Sequence, residues 1–321
     1  MAVRLPVLAL DIGGTKLATA VVTPDGRTHG FLSEPTRKER GPDEVIAHLF
    51  DLGRRSMAAA EIDDVAAVGI SCGGPLDAAA GVLTGPLHLP GWIDIPIVAL
   101  AESAFGVPAV LENDATAAVL GEFRYGAARG AGTALYLTIS TGIGGGAIIG
   151  GRLHRGAAGN GGEFGHVMVR PGGRLCQCGR LGCLEAYASG TSIADRARDL
   201  LSDDARPSML RHEEPVRAEH VSRGAAAGDE LARELWDDTT ELLAQAITDL
   251  VNAFEPHVVV LGGGVTRSGA MLLEPISAAV RRDAMPPAGA AARIALAELG
   301  DEVCVVGAAA LAMDLAEVHR A

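Results

Sequence analysis

The sequence predicts an α/β protein with two lobes, and three observations carry this prediction. Its 321 residues exceed the size of one average domain. Aromatic residues make up 3% of the chain and 42 residues are glycine, so small and aliphatic side chains must fill a core between tight turns. An apolar strand, a glycine turn with a threonine and a return strand also occur twice, beginning at Val7 and at Ala134.

Apolar runs and their periodicity locate the other elements around these two copies. Strands are predicted at 7–11, 17–22, 65–70, 109–111, 134–140, 147–149 and 257–261. Helices are predicted at 42–60, 115–123 and 306–318, and a charged segment at 192–254 is helical in composition. The repeated pattern indicates duplicated lobes that face each other.

Charge and hydropathy exclude several classes of function. A net charge of -13 argues against a nucleic-acid partner, which needs a basic surface. No apolar run is long enough to predict a membrane span, and Met1–Leu10 lacks the apolar stretch and cleavage site of a signal peptide. Five cysteines, three of them clustered, fit a metal site in a reducing compartment, so the cytoplasm is the expected location.

The first glycine turn contains candidate phosphate ligands: Asp11, Gly13, Gly14, Thr15 and Lys16. Glycines let backbone N–H groups approach an anion, Thr15 adds a hydroxyl donor, and Asp11 can hold Mg²⁺ through water. The turn lacks the spacing of a Walker A loop. Its alternative interpretation is an ordinary hairpin turn with Lys16 facing solvent.

Two further glycine runs strengthen the phosphate interpretation. The second turn, 140–146, begins with Ser140 and Thr141 before Gly142, and a third run consists of Gly262, Gly263 and Gly264. Phosphoryl transfer requires chiefly positioning and charge stabilisation, which such backbone donors supply. Together the three runs favour phosphate binding.

Asn113 and Asp114 lie at a predicted strand-to-helix junction. Asp114 is a candidate general base that takes a proton from a sugar hydroxyl, and Asn113 can donate and accept hydrogen bonds with sugar hydroxyls. The alternative is that Asp114 is only the N-cap of the following helix. The local sequence leaves both interpretations open.

A histidine and three cysteines form the strongest chemical signal in the sequence. His166, Cys176, Cys178 and Cys183 make a closed tetrahedral ligand set for structural Zn²⁺. A disulfide or a chance grouping among the cysteines is the alternative. Cys72 and Cys304 lie in apolar stretches as small buried residues.

Glu163 and Glu185 flank the predicted zinc loop and can reach a polar ligand beside the metal. Glutamates at such positions are most often surface residues. The sequence of this region by itself therefore assigns them no role.

Five ordered motifs identify a resemblance. They read Asp-x-Gly-Gly-Thr-Lys, Glu-Asn-Asp-Ala, Thr-Gly-Ile-Gly-Gly-Gly, Glu-x-Gly-His and Cys-x-Cys-Gly-x-x-Gly-Cys-x-Glu. The chain resembles the ROK family (repressors, open reading frames and sugar kinases), and looks most like its bacterial glucokinase branch. The resemblance runs from about Leu8 to Leu311.

The resemblance implies a two-lobed, actin-like ATPase fold of the ribonuclease H type with a cleft between the lobes. The small α/β lobe would comprise residues 1–115 and a C-terminal helix at about 304–321. The large lobe would comprise 116–303 and carry the zinc loop. A homodimer or higher homo-oligomer is also expected from the family.

The resemblance further implies an ATP-dependent hexose kinase that phosphorylates the 6-hydroxyl of glucose or a related hexose, with Asp114 as the base. Its sugar ligands would be Gly74, Asn113, Glu163, His166 and Glu185. Gly13, Thr15, Thr141 and Gly142 would line the phosphates, Gly262–Gly264 the adenosine, and Mg²⁺ would accompany ATP near Asp11.

Three positions depart from the family pattern and leave the sugar open. Gly73 stands where proline is common, which predicts a looser loop, while His88 and Thr116 stand where asparagine is common. The alternatives are an N-acetylglucosamine or N-acetylmannosamine kinase, polyphosphate as the donor, or a non-catalytic sugar-sensing regulator. Only ten residues precede Asp11, which argues against the DNA-binding domain of a regulator.

Overall fold

A computed structural model describes residues 5–319. The first four and last two residues, with which the expected small lobe begins and ends, lie outside the described residues. The chain forms two compact units. The first unit contains the described residues up to Arg129, residues 155–161 and those from Asp301 onwards; the second contains Gly130–His154 and Gly162–Gly300. The boundary between the units falls after Arg129, whereas the sequence analysis predicts a lobe boundary after residue 115.

A five-stranded mixed sheet forms the centre of the first unit. Its strands are β1 (Val7–Ile12), β2 (Lys16–Val22), β3 (Thr28–Pro35), β4 (Val68–Cys72) and β5 (Ala109–Asn113). The order is β3-β2-β1-β4-β5, with β1–β2 and β2–β3 antiparallel and β1–β4 and β4–β5 parallel. The carboxyl ends of β1, β4 and β5 therefore meet at one edge of the sheet. The candidate site residues of the first unit lie at or directly after these strand ends.

The second unit repeats this sheet. Its strands are β6 (Ala134–Ile139), β7 (Ile143–Ile149), β8 (Arg152–Leu153), β9 (Val258–Gly262) and β10 (Arg293–Leu296). The order β8-β7-β6-β9-β10 and the strand directions match those of the first sheet, strand for strand. The duplication predicted from the sequence is confirmed, and it extends beyond the hairpins to all five strands.

Ten α-helices complete the described part of the chain. They are α1 (Pro42–Ala59), α2 (Ile97–Phe105), α3 (Asp114–Tyr125), α4 (Glu185–Ala188), α5 (Gly190–Asp203), α6 (Ala218–Ala226), α7 (Glu230–Phe254), α8 (Ala270–Asp283), α9 (Pro286–Ala291) and α10 (Val303–Val318). Within residues 5–319, none is both long and apolar enough to cross a membrane.

Both faces of the first sheet are covered, as a largely parallel sheet centre requires. One core contains α1 residues such as Leu49 and Leu52 together with Leu10 and Ile70. On the opposite face, small residues of α10, including Ala308 and Ala309, pack in a separate core with β1 and β2. Proline at the first turn of α1 and the apolar spacing along it explain why this helix was predicted closely.

The structure corrects the extent of the second glycine turn. Gly144, Gly145 and Gly146 do not form the turn but pair with β6 inside β7. A Cβ on Gly145 would lie 2.4 Å from a ring carbon of Phe164, so glycine here allows a close approach. The turn itself is confined to residues 140–142.

Candidate active site

Asp11 ends up nearly buried at the carboxyl edge of the first sheet, with 8% of its surface exposed. The hydroxyl of Ser71, on the neighbouring strand β4, donates to Oδ1 of Asp11 at 2.7 Å. Burial raises the pKa of Asp11 to about 7, although the Ser71 hydrogen bond opposes the shift. Such a carboxylate gains stability when a cation binds beside it, which fits the predicted Mg²⁺ role.

The first glycine turn is held in place by a residue that the sequence analysis missed. Thr36, which is 1% exposed, donates from its hydroxyl to the Gly13 carbonyl at 2.6 Å and from its N–H to the Thr15 carbonyl at 3.0 Å. Gly13 N–H donates to the Lys16 carbonyl at 3.0 Å and thus closes the hairpin. The Lys16 ammonium lies 3.8 Å from Asp301 Oδ1, and both side chains are substantially exposed.

At the end of β5, the structure shows which residue caps α3. The N-cap of α3 is Asn113, whose Oδ1 accepts the N–H groups of Ala115 and Thr116 at 3.0 and 3.2 Å. Asp114 is the first residue of α3, and its Oδ1 accepts the N–H of the neighbouring Ala115 at 2.8 Å. Capping therefore falls to Asn113 and not to Asp114.

The cap also limits what Asn113 can offer a ligand. Its Oδ1 is occupied, so the predicted dual role narrows to donation from Nδ2. A Cβ placed on Gly74 would lie 3.9 Å from this Nδ2. The two sugar ligands predicted in the first unit therefore lie next to each other.

Burial raises the pKa of Asp114, while the bond from Ala115 N–H and the nearby His88 lower it in part. Burial lowers the pKa of His88, although the nearby Asp114 opposes the shift. Cys72 is fully buried and Cys304 is partly buried, and desolvation raises the pKa of both thiols well above the ordinary range. The raised pKa of Asp114 suits a proton acceptor, because it increases the proton affinity of the carboxylate.

His88 fills the space beside two glycine loops. A Cβ on Gly73 would lie 2.5 Å from Cε1 of His88, and a Cβ on Gly14 would lie 2.9 Å from its Cβ. Nε2 of His88 is buried and makes no hydrogen bond within the described residues. The sequence analysis predicts a looser loop at Gly73. Instead, the imidazole of His88 fills the space that a larger residue at position 73 would need.

This packing predicts the outcome of a paired substitution. Gly73→Ala should destabilise the protein by about 1–3 kcal/mol, because the new methyl group overlaps the imidazole of His88. The same change made together with His88→Ala should cost less than it does alone, since the obstructing ring is gone. Urea unfolding of the two single variants and the double variant measures the coupling, and additive losses would contradict the predicted clash.

In the second unit, Glu185 connects the glycine turn to the cysteine cluster. Its Oε2 accepts the N–H of Ile143 at 2.8 Å, and its Oε1 lies 3.6 Å from the Sγ of Cys176, which donates to it. Thr141 and Gly142 directly precede Ile143. The sequence alone gave Glu185 no role, whereas these contacts fix its carboxylate beside the turn.

His166 and the three cysteines converge as predicted. Their ligand atoms all lie within 4.8 Å of one another. Cys178 and Cys183 Sγ atoms are 3.7 Å apart, as are Cys176 Sγ and His166 Nδ1. A tetrahedral zinc with bonds of about 2.3 Å to sulfur separates its ligands by about 3.8 Å, so the set fits Zn²⁺.

Thiol environments differ within this cluster. Burial raises the pKa of Cys176 to about 12 and also raises the pKa of Cys183. Burial opposes ionisation of Cys178 too, but hydrogen bonds from Arg180 N–H and the two other thiols lower its pKa. Unpaired thiols at these distances are ready ligands, and the alternative of a disulfide is not what the structure shows.

The other ring nitrogen of His166 points away from the thiols. Nε2 lies 3.7 Å from Oε2 of Glu163, whose side chain is 55% exposed. His166 ends a single 3-10 turn, Phe164–His166, that begins directly after Glu163. One imidazole therefore faces the cluster on one side and a partly exposed carboxylate on the other.

The segment that precedes Cys176 contacts a tyrosine, Tyr187. Tyr187 accepts the N–H of Arg174 at 2.6 Å, and its ring lies between the guanidinium groups of Arg170 and Arg196, 5.2 and 5.6 Å from its centroid. Asp238 on α7 forms ion pairs with both arginines. The segment before Cys176 is thereby tied to the helical core.

The third glycine run follows β9 of the second sheet, as the loop with Gly73 and Gly74 follows β4 of the first sheet. Gly262 ends β9, and Gly264 begins a short 3-10 helix, Gly264–Ser268. Because β9 corresponds to β4, this run is topologically equivalent to the loop that contains Gly73 and Gly74. The duplicated fold thus carries one such loop in each unit.

Two repeated sheets with this strand order, each with a glycine hairpin between its first two strands, define an actin-like ATPase fold of the ribonuclease H type. The ROK family profile matches residues 7–315. The chain belongs to the ROK family.

Named relatives agree with this assignment. The chain is 32% identical over 311 residues to a glucokinase of Thermotoga maritima, covering 96% of this chain and 97% of the relative. A ROK hexokinase from Thermus thermophilus aligns with a TM-score of 0.81 and 38% identity, covering 99% of this chain and 100% of that one. A ROK glucokinase from Streptomyces griseus, solved with glucose and AMPPNP, aligns with a TM-score of 0.81 and 33% identity over 96% of this chain and 99% of that one.

Proposed function

We propose that this protein is an ATP-dependent sugar kinase that transfers the γ-phosphate of ATP to the 6-hydroxyl of a hexose, with glucose as the leading substrate. The observation that carries the proposal is Asp114, a partly buried carboxyl whose pKa is raised by desolvation and which is not used as the helix cap. Similarity to glucokinases over nearly the whole chain supports the same reaction class.

In the proposed reaction, Asp114 accepts the proton of the sugar 6-hydroxyl as that oxygen attacks the γ-phosphorus. The new oxygen–phosphorus bond forms while the bond from the γ-phosphorus to the β,γ-bridging oxygen breaks. The electron pair stays with ADP and the proton stays on Asp114 until product leaves. Burial favours this transfer, because it raises the proton affinity of the carboxylate.

The proposed sugar ligands are the five residues that the family resemblance implies. In the first unit, Nδ2 of Asn113 donates to a ring hydroxyl beside Gly74. In the second, the carboxylates of Glu163 and Glu185 accept from hydroxyls, and Nε2 of His166 faces the sugar. Their support is the observed geometry: Glu185 is fixed by Ile143 N–H and Cys176, and His166 Nε2 lies on the Glu163 side.

The proposed nucleotide ligands are the glycine runs. Gly13, Gly14, Thr15 and Lys16 would hold phosphates in the first unit. Thr141 and Gly142 would do so in the second unit, where Gly262, Gly263 and Gly264 would line the adenosine. Mg²⁺ bound with ATP neutralises phosphate charge, and Asp11 would hold it through water.

The proposed metal is a structural Zn²⁺ held by Nδ1 of His166 and the thiolates of Cys176, Cys178 and Cys183. Four protein ligands leave no position for water, so zinc supplies shape and not chemistry. Free thiols of this kind persist in a reducing compartment, which supports a cytoplasmic location. A homo-oligomer, as expected for the family, completes the proposal.

A coupled ADP-release screen tests the proposed function. Purified protein is assayed with ATP by ADP release against glucose, mannose, fructose, N-acetylglucosamine and N-acetylmannosamine. Reactions with polyphosphate as the donor, which release no ADP, are followed by ³¹P NMR, which also reads the position of the new phosphate. We expect glucose to give the highest kcat/KM with ATP and the product to carry its phosphate on the 6-hydroxyl. Absence of turnover with every hexose would overturn the proposal.

A further inference from the structure

An ion pair between a buried glutamate and a half-exposed arginine joins the strand before the proposed base to a distant segment of the chain. Glu112, on β5, is 1% exposed, and its Oε2 accepts Nε–H of Arg155 at 2.7 Å. Arg155 follows β8 by two residues in the sequence. The sequence analysis gave neither residue a role, although Glu112 belongs to the motif that contains Asp114.

The second oxygen of Glu112 extends this pair to the proposed active site. Its Oε1 accepts the N–H of Asn113 at 3.0 Å. Asn113 in turn caps α3 through Ala115 and Thr116, and Ala115 N–H also donates to Asp114. A continuous set of hydrogen bonds therefore runs from the guanidinium of Arg155 to the carboxylate of Asp114.

The segment that begins at Arg155 has an unusual position in the chain. Residues 155–161 belong to the first unit, whereas the residues on both sides of them belong to the second. Gly161 N–H donates to the Arg155 carbonyl at 2.9 Å and closes the segment into a loop. Glu163, a proposed sugar ligand, follows two residues later, so the attachment of Arg155 also restricts the chain that leads to Glu163.

The buried carboxylate of Glu112 is stabilised by the positive charge of Arg155. Glu112 is almost completely buried, while the side chain of Arg155 is half-exposed. Removing one partner of a buried ion pair leaves an uncompensated charge, which is strongly destabilising for the groups around it. Those groups here are the backbone of Asn113 and the first turn of α3.

We propose that Arg155 and Glu112 are positioning residues for phosphoryl transfer: the ion pair fixes Asn113 and Asp114 and anchors the loop 155–161 in the first unit. This rests on the proposed function, because the reaction supplies the kinetic test. Neither residue acts on substrate directly, and their effect passes through Asn113.

The kinetic experiment compares Arg155→Met, Arg155→Lys and Glu112→Gln with Arg152→Met, a change of an exposed arginine on β8. Arg155→Met should lower kcat at least tenfold while KM for ATP changes less than threefold. Arg155→Lys should recover part of the loss because it retains the charge. Adding Glu112→Gln to Arg155→Met should lower kcat less than the product of the two single effects. A kcat for Arg155→Met within twofold of Arg152→Met would overturn the proposal.

Amide hydrogen exchange provides a readout that does not need turnover. In Arg155→Met, exchange should accelerate in the first turn of α3 and in residues 156–161, and it should stay near wild type in Arg152→Met. Glu112→Gln, which retains an acceptor for Asn113 N–H, should accelerate exchange mainly in 156–161. If wild-type protein phosphorylates no hexose, the proposed function fails, and unchanged exchange in both segments of Arg155→Met would then overturn the positioning role as well.

Discussion

Asp114→Asn is expected to lower kcat for hexose phosphorylation by roughly 10²–10⁴-fold, the usual contribution of a general base. Asparagine has nearly the same shape and keeps an oxygen to accept Ala115 N–H, so the start of α3 should be preserved. Hexose binding should survive, because the base acts on proton transfer during the reaction and not on ground-state binding. Steady-state kinetics and isothermal titration with the preferred hexose measure the two effects separately.

The matched control is Asp63→Asn, which removes an exposed carboxylate from the same unit. It should leave kcat within twofold of wild type. An Asp114→Asn enzyme that works at more than a tenth of the wild-type rate would refute the assignment of the base.

The same substitution has an expected effect on stability whose sign follows from the pKa of Asp114. Burial raises this pKa in the folded protein above the reference value of 3.8. Wild-type stability therefore falls as pH rises from the unfolded value through the folded one, since the folded protein resists ionisation more than the unfolded chain does. Asparagine escapes this loss. Urea unfolding should show Asp114→Asn more stable than wild type at pH 8, with a gain that shrinks towards pH 4.

Cys178→Ser is expected to remove the zinc and to destabilise the second unit. Structural zinc contributes roughly 10–16 kcal/mol in small zinc-binding peptides, and even a loss of roughly 3 kcal/mol lowers Tm by roughly 6–12 °C in a domain of this size. Zinc content by plasma mass spectrometry and Tm by calorimetry measure the outcome. The exposed position of Cys178 makes it a suitable site, because serine there leaves no buried cavity.

Cys72→Ala serves as the control for the zinc experiment. Cys72 is fully buried in the first unit, so alanine should cost some stability there without changing the zinc content. Freshly purified wild-type protein without zinc, or a full equivalent of zinc in Cys178→Ser, would contradict the metal assignment.

Much of the fold could be predicted because its elements are strongly apolar and bounded by glycine. Strands β1, β6 and β9 are fully or almost fully buried and read as continuous apolar runs. Strand β3 was missed because it is only partly buried and contains His29, Ser33 and Glu34. Helix α2 was missed as well, since it has nine residues and only two of them are buried.

In the candidate site, too, some residues could be predicted from the sequence and others could not. The convergence of His166 and the three cysteines could be predicted, because their residue types and close spacing in the sequence are typical of a metal-ligand set. Thr36, His88 and Arg155 could not, because each acts through contacts with residues that lie 15 or more positions away in the chain, such as Gly13, Gly73 and Glu112. Sequence periodicity carries no information about such pairs.

The packing of His88 against Gly73 bears on how this enzyme could be engineered. Replacing individual residues by those most frequent among relatives often raises stability. At position 73 the family resemblance implies proline as the common residue, and the imidazole of His88 already occupies the space beside Gly73. Consensus design applied one position at a time should therefore reject proline here, whereas proline combined with a smaller residue at 88 should be tolerated. The residues at positions 73 and 88 therefore depend on each other, and mutant libraries of this protein should vary the two positions together.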